Sequence, residues 1–191
     1  MTDGQVMRLI IVGRQGSGKG TQSARLVDHF GVVHVSTGDM LRTAVKAGTD
    51  VGEQAEAIMD AGELVPDDLM IDIVSARLHE DDIVQNGVLL DGFPRTTSQA
   101  EALLEILGNG GIGVAINLEV AVDEVTRRMM ARGREDDTFE AITRRLELYE
   151  AQTEPLLEWF GARGVLHTVD GLGDEDEVFA RILEALTPSS R

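Results

Sequence analysis

The chain is 191 residues long, carries 34 Asp and Glu against 17 Lys and Arg for a formal net charge of -17, and contains no cysteine. That length suits one globular domain with small inserted lobes, and 42% hydrophobic residues can bury a core, which argues against wholesale disorder. Disulfides, iron–sulfur clusters and cysteine-ligated zinc are excluded, and a general binder of nucleic acid or of anionic membranes would be repelled. The cations are unevenly divided. Only Lys19 and Lys46 are lysines and the other 15 are arginines, whose planar fork grips oxyanions as a point-charge ammonium cannot.

Residues 1–7 are short and polar, and the apolar run 9–12 is far too short to span a bilayer and has no basic stretch before it. With no cysteine, the expectation is a cytoplasmic protein. Runs at 7–13, 32–35, 87–91, 114–118 and 166–170 read as strands, several of them near-continuous apolar runs, as expected of parallel strands buried on both faces. Amphipathic stretches at 18–30, 38–47, 52–61, 67–79, 97–107, 122–132, 139–160 and 174–186 read as helices. Pro155 falls inside the longest and should kink or split it. The glycine-rich 108–113 reads as a flexible connection. In the last helix Val178, Phe179, Ile182, Leu183 and Leu186 share one face, and the acids 174–177 occupy the first turn, where the dipole favours them without any metal. This alternation implies an α/β fold, a doubly wound five-stranded parallel sheet in a three-layer α/β/α arrangement. Residues 36–65 and 132–138 interrupt the rhythm and read as excursions from a single core.

The strongest local signal is Gly13-Arg14-Gln15-Gly16-Ser17-Gly18-Lys19-Gly20-Thr21. It matches G-x-x-x-x-G-K between a strand and a helix, the context a phosphate-binding loop (P-loop) requires. Glycines let backbone N–H groups turn around phosphate oxygens, the helix start adds its positive dipole end, and Lys19 supplies a charge that follows a transferred phosphoryl group. Gly20 stands where the usual pattern has Ser or Thr, and the first hydroxyl comes at Thr21.

Further motifs follow in order: Ser36-Thr37-Gly38-Asp39-Met40-Leu41-Arg42; Asp91-Gly92-Phe93-Pro94-Arg95-Thr96 with Gln99; Arg128 with Arg132-Gly133-Arg134-Glu135-Asp136-Asp137; and Arg144-Arg145. Together with Gly18-Lys19-Gly20-Thr21-Gln22 they closely resemble the nucleoside monophosphate kinases, the adenylate kinases in particular, over almost the whole chain. Gly-Lys-Gly-Thr-Gln is that family's own form of the loop. Singly, Arg42 and Arg95 read as surface ion pairs; within this constellation they read as phosphate ligands.

The resemblance implies reversible, Mg-dependent phosphoryl transfer from ATP to AMP giving two ADP, in a monomer that serves adenine nucleotide homeostasis and has neither nucleic-acid nor membrane partners. It implies that Gly16, Ser17, Gly18, Lys19, Gly20 and Thr21 hold the ATP phosphates, with Arg128 over the adenine, Arg132 reaching from the lid and Gly173 near the base. Thr37, Arg42, Glu63, Leu64, Val65, Gly92, Phe93, Pro94, Arg95 and Gln99 would hold AMP. Arg134 and Arg145 would clamp the phosphates between the nucleotides, so that Lys19, Arg95, Arg132, Arg134 and Arg145 carry the catalysis. Asp91 would hold Mg²⁺ through waters, a ligand set that suits this ion, although an acid before Gly92 also reads as an ordinary turn residue.

Relatives acting on UMP or CMP usually carry Ala in place of Thr37 and Asn near Gln99, which favours AMP as acceptor, since a Gln amide offers one acceptor and two donors. Another monophosphate kinase, for UMP, CMP or a deoxynucleotide, is the alternative, with a nucleotide switch behind it. The excursion 132–138 resembles the short lid of the family, with neither room nor cysteines for structural zinc. His34 and His167 read as packed or edge residues. No nucleophilic Ser or Cys is indicated, and mutual repulsion among the arginines is expected to hold the lid open. Arg14 and Gln15 stand where relatives often have a small residue and Pro.

Overall fold

The computed structural model describes residues 6–134 and 137–187. Its strands are β1 (Arg8–Val12), β2 (Val33–Ser36), β3 (Val88–Asp91), β4 (Val114–Glu119) and β5 (Leu166–Asp170). The helices are α1 (Lys19–Phe30), α2 (Thr37–Ala47), α3 (Asp50–Asp60), α4 (Asp67–Leu78), α5 (Asp81–Asn86), α6 (Thr97–Leu107), α7 (Val122–Arg132), α8 (Phe139–Leu148), α9 (Glu154–Ala162) and α10 (Glu175–Leu186). The sheet order is β2-β3-β1-β4-β5, and every pairing is parallel. Parallel neighbours need long crossovers, and the helices supply them.

Strand side chains alternate between two cores, as the two-residue period demands. Ile10, Val12, Leu90 and Ala115 pack against Val74 of α4, Leu103 of α6 and Leu156 and Phe160 of α9. Leu9, Ile11, Leu89, Ile116 and Leu118 pack against Leu26 of α1 and Val178 and Ile182 of α10. The expected three-layer doubly wound sheet is therefore present.

The expected helix over 139–160 is two helices joined by a wider π-type turn, Tyr149–Thr153. Pro155 sits in the first turn of α9, where its missing N–H leaves no bond unmade. α3 starts two residues before the expected 52, because Thr49 caps it by accepting the Gly52 N–H at 3.1 Å. The short α5 was not anticipated; six residues are too few to display a helical period. α10 carries a capping box between Asp174 and Glu177, which is the use its leading acids find. Among the described residues no helix is long and apolar enough to cross a membrane.

Candidate active site

All five strands run the same way, so the loops that follow them gather at one end of the sheet, where open α/β sheets bind ligands. A cleft of about 1050 Å³ opens there. It lies over β1 and β4, from which the chain winds to opposite sides.

The loop after β1 forms the floor. Gly13 and Gly16 have φ of 150° and 86°, and a Cβ on them would come within 2.7 Å of the Leu118 carbonyl oxygen and 2.8 Å of the Val125 carbonyl oxygen. The loop is thus wedged between β4 and α7, and only glycine fits. Gly18 caps α1 in the left-handed region without any side-chain cap, which leaves the first N–H groups of the helix for an anion.

Lys19 folds back over this loop, its Nζ donating to the carbonyls of Gly13 at 2.8 Å and Arg14 at 3.1 Å. Burial lowers its pKa to about 8; Asp91 opposes this, and Arg95, Arg132 and Arg134 add to it. Burial pushes the Asp91 carboxyl up, but His34, Lys19 and Arg95 together outweigh burial and hold it below the ordinary range. His34 Nε2 lies 3.7 Å from Asp91 Oδ2, an ionic rather than hydrogen-bonded separation. Arg95 is pinned by Nε donating to the Gly92 carbonyl at 2.8 Å. Burial lowers its pKa, Asp91 opposes, and Arg145 and Arg42 add to the lowering.

A second cavity of about 60 Å³ adjoins the cleft. Thr37, Arg42, Glu63, Leu64, Val65, Gly92, Arg95, Gln99 and Arg145 line it, so most of the expected acceptor set is brought together. Residues 16–21 lie on the large cleft with Asp91, Pro94, Arg128, Arg132, Arg134 and Gly173. Phe93 differs: its side chain is 1% exposed and packs in the core, anchoring the turn that carries Gly92 and Arg95. Gln99 is already partly engaged. Its Oε1 accepts the Arg95 N–H at 2.7 Å and its Nε2 donates to Asp67 at 2.6 Å, leaving one amide proton. Thr37 donates to the Asp91 carbonyl at 3.4 Å.

The rim arginines are paired with acids. Arg128 meets Glu124 at 2.6 Å, Arg42 meets Asp39, and Arg144 meets Glu63 at 2.6 Å. Asp137 takes both Arg132 at 2.5 Å and Arg145 at 3.2 Å. Burial raises the Asp137 carboxyl, yet Arg132 and Arg145 draw it below its ordinary value. A carboxylate thus stands between two of the arginines whose mutual repulsion was expected to hold the lid open. Glu135 and Asp136 of the expected lid lie outside the described residues.

Several polar neighbours were not singled out as site residues in the sequence. Gln15 lines both cavities. His34, expected as a packed or edge residue, lies on the edge strand β2 and faces Asp91, the β2–β3 register setting Ser36 beside Asp91. Arg14 bonds Glu154 at 2.7 Å and lies 5.0 Å over the Tyr149 ring; burial pushes the Tyr149 phenol up to about 12, with Arg14 opposing. No local signal marks these pairings. Among the described residues no three His, Cys, Asp or Glu side chains cluster as a metal site; Asp91 is the cleft carboxylate that lies beside Lys19 and Arg95.

The family model for adenylate kinase matches residues 11–165. The chain belongs to the adenylate kinase family. Adenylate kinase of Stenotrophomonas maltophilia (strain R551-3) is 45% identical over 186 residues, covering 94% of this chain and 99% of the relative. Adenylate kinase of Methylobacterium radiotolerans is 46% identical over 194 residues, with 95% and 96% covered; that of Nocardia farcinica is 46% identical over 182 residues, with 94% and 99% covered. The activity is ATP:AMP phosphotransfer, and the geometry brings a large cleft and a small adjoining cavity together at a junction lined by arginines.

Proposed function

We propose that the large cleft takes MgATP, with its β- and γ-phosphates on residues 16–21, and that the smaller cavity takes AMP, for the reaction MgATP + AMP ⇌ MgADP + ADP. The observation that carries this reading is that the two cavities share Arg42, Arg95 and Arg145 on their walls. Three guanidiniums stand where two polyanions have to be brought into contact.

An oxygen of the AMP phosphate attacks the γ-phosphorus in line, the bond from that phosphorus to the β–γ bridging oxygen breaks, and ADP leaves with the electron pair. No protein nucleophile takes part, so catalysis reduces to positioning and charge neutralisation. Lys19 follows the phosphoryl group. Arg95, Arg132, Arg134 and Arg145 offset charge on its oxygens, Arg128 and Gly173 flank the ATP base, and Thr37 with the remaining Gln99 proton faces the acceptor base.

Asp91 suits Mg²⁺ held through water, since it is an ionised carboxylate on the cleft beside the loop, and Mg²⁺ keeps waters and takes one or two carboxylates plus substrate phosphates. When bound, the ion neutralises phosphate charge. Residues 36–65 and 132–138 are the lobes whose closure would exclude water. A cytoplasmic monomer is part of this reading. The absence of cysteine supports the compartment, and the five exposed large apolar side chains among the described residues are spread over several elements, as on ordinary monomer surfaces.

ADP formation measured over AMP, UMP, CMP and deoxynucleoside monophosphates tests the assignment. AMP is expected among the best acceptors, and UMP or CMP turned over faster would move the acceptor to another base.

A further inference from the structure

We propose that Gln15 is a substrate-contacting residue at the point of phosphoryl transfer, its side-chain amide donating to the phosphate oxygens that donor and acceptor share during the reaction. This rests on the two-nucleotide reading of the cavities.

The walls common to both cavities mark where they open into each other. Besides Arg42, Arg95 and Arg145 they comprise Gly38, Leu64, Gly92 and Gln15. Gln15 is therefore the one residue of the loop after β1 that reaches the acceptor side, and the one neutral amide at the junction. It is half-buried, and among the described residues its side chain has no hydrogen-bond partner within the chain. An amide brings two donors and one acceptor. Left unpaired beside three guanidiniums, its donors suit an anion.

The backbone on either side is fixed. Arg14 is tied to Glu154 at 2.7 Å and lies over Tyr149, and its carbonyl accepts from Lys19 at 3.1 Å. Gly16 is wedged against Val125. Gln15 is thus presented between two tethered neighbours, its own side chain making no hydrogen bond within the chain among the described residues. During transfer, charge spreads over the three equatorial oxygens of the phosphoryl group. A neutral donor there adds a charge-assisted hydrogen bond without adding a like charge to a junction already crowded with cations.

Gln15→Met keeps the length of the side chain and removes both donors. The kcat is expected to fall about tenfold, the size of one lost hydrogen bond to a charged group. Binding of AMP alone and of ATP alone, by titration calorimetry, should change less than about twofold. A bisubstrate analogue of two adenosines joined by a polyphosphate should bind about tenfold more weakly, since it alone fills the junction. Gln15→Glu places a negative charge at the same spot and should lose more than the Met variant. Thermal melting of both variants checks that they fold.

Arg95→Ala in the same assays separates the two levels. If Arg95→Ala leaves AMP and analogue binding intact, the two-nucleotide reading fails and the role of Gln15 falls with it. If Arg95→Ala is impaired but Gln15→Met keeps parental kcat and analogue affinity, or loses AMP affinity alone, or Gln15→Glu is fully active, the role of Gln15 is overturned by itself.

Discussion

Cations on the floor of the cleft and cations on its rim are held in opposite ways. Lys19 and Arg95 on the floor are half-buried and bonded to carbonyl oxygens of their own turns, and among the described residues neither forms an ion pair with a carboxylate. Arg42, Arg128, Arg132 and Arg145 on the rim each meet an acid: Asp39, Glu124, or the shared Asp137. The floor keeps charge that Asp91 offsets only from a distance, at a cost in desolvation that depresses the pKa of both groups. A phosphate arriving there meets preorganised positive charge. A phosphate arriving at the rim has to replace a carboxylate, so the rim can exchange partners as the site fills. The global charge of -17 is consistent with this, because many of its acids pair with the rim arginines or lie on helix starts.

Lys19→Met strikes the floor and has the largest expected effect. The kcat should drop by about 10²–10³, the size of one lost preorganised donor to developing charge. Steady-state kinetics at saturating nucleotide measures this. A loss under about fivefold would put floor and rim on the same footing.

Titration of the same group sharpens the contrast. Lys19 in the free protein holds its proton to about pH 8, against an ordinary 10.5. The kcat/KM for ATP should therefore be flat below pH 8 and fall about tenfold per unit above it. Between these two pH values the unfolded chain binds more protons at this position than the folded one, so the Lys19 contribution to stability rises across the window. Activity lost without a fall in melting temperature is deprotonation rather than unfolding. Lys19→Arg, which keeps its proton, should abolish the descent. A descent that survives that change would assign it elsewhere.

Asp137→Asn acts on the rim and should do least. With the placeholder carboxylate neutralised, Arg132 and Arg145 no longer exchange an ionic partner for phosphate. Analogue binding should tighten about two- to fivefold, the scale of an ion pair whose arginines keep some exposure. Calorimetry at two salt concentrations reads it. Weaker binding would mean that Asp137 positions the arginines rather than competing for them.

Legibility followed locality. The loop 13–21 was readable because its chemistry is contiguous: four glycines, a lysine and a helix start lie within nine residues of chain. Strands β1, β3 and β4 were readable from short, nearly unbroken apolar runs, and the interruption at Pro155 from its missing N–H. The short α5 has no period to read. His34 beside Asp91, Asp137 between two arginines, and Arg14 against Glu154 join residues distant in the chain or separated by a turn, and no residue type marks such a pair in advance.

By itself, the order of residues determined the α/β class, the phosphate-binding loop, the family and the set of cations available to oxyanions, because hydrophobic period and contiguous loop chemistry are local properties. Only the tertiary structure decided which of those cations stand bare and which are already paired, that Phe93 belongs to the core, and that Gln15 stands where the two cavities meet. Burial and pairing depend on which strand ends and helices converge at one point, and parallel strands carried by long crossovers bring together there residues more than a hundred positions apart.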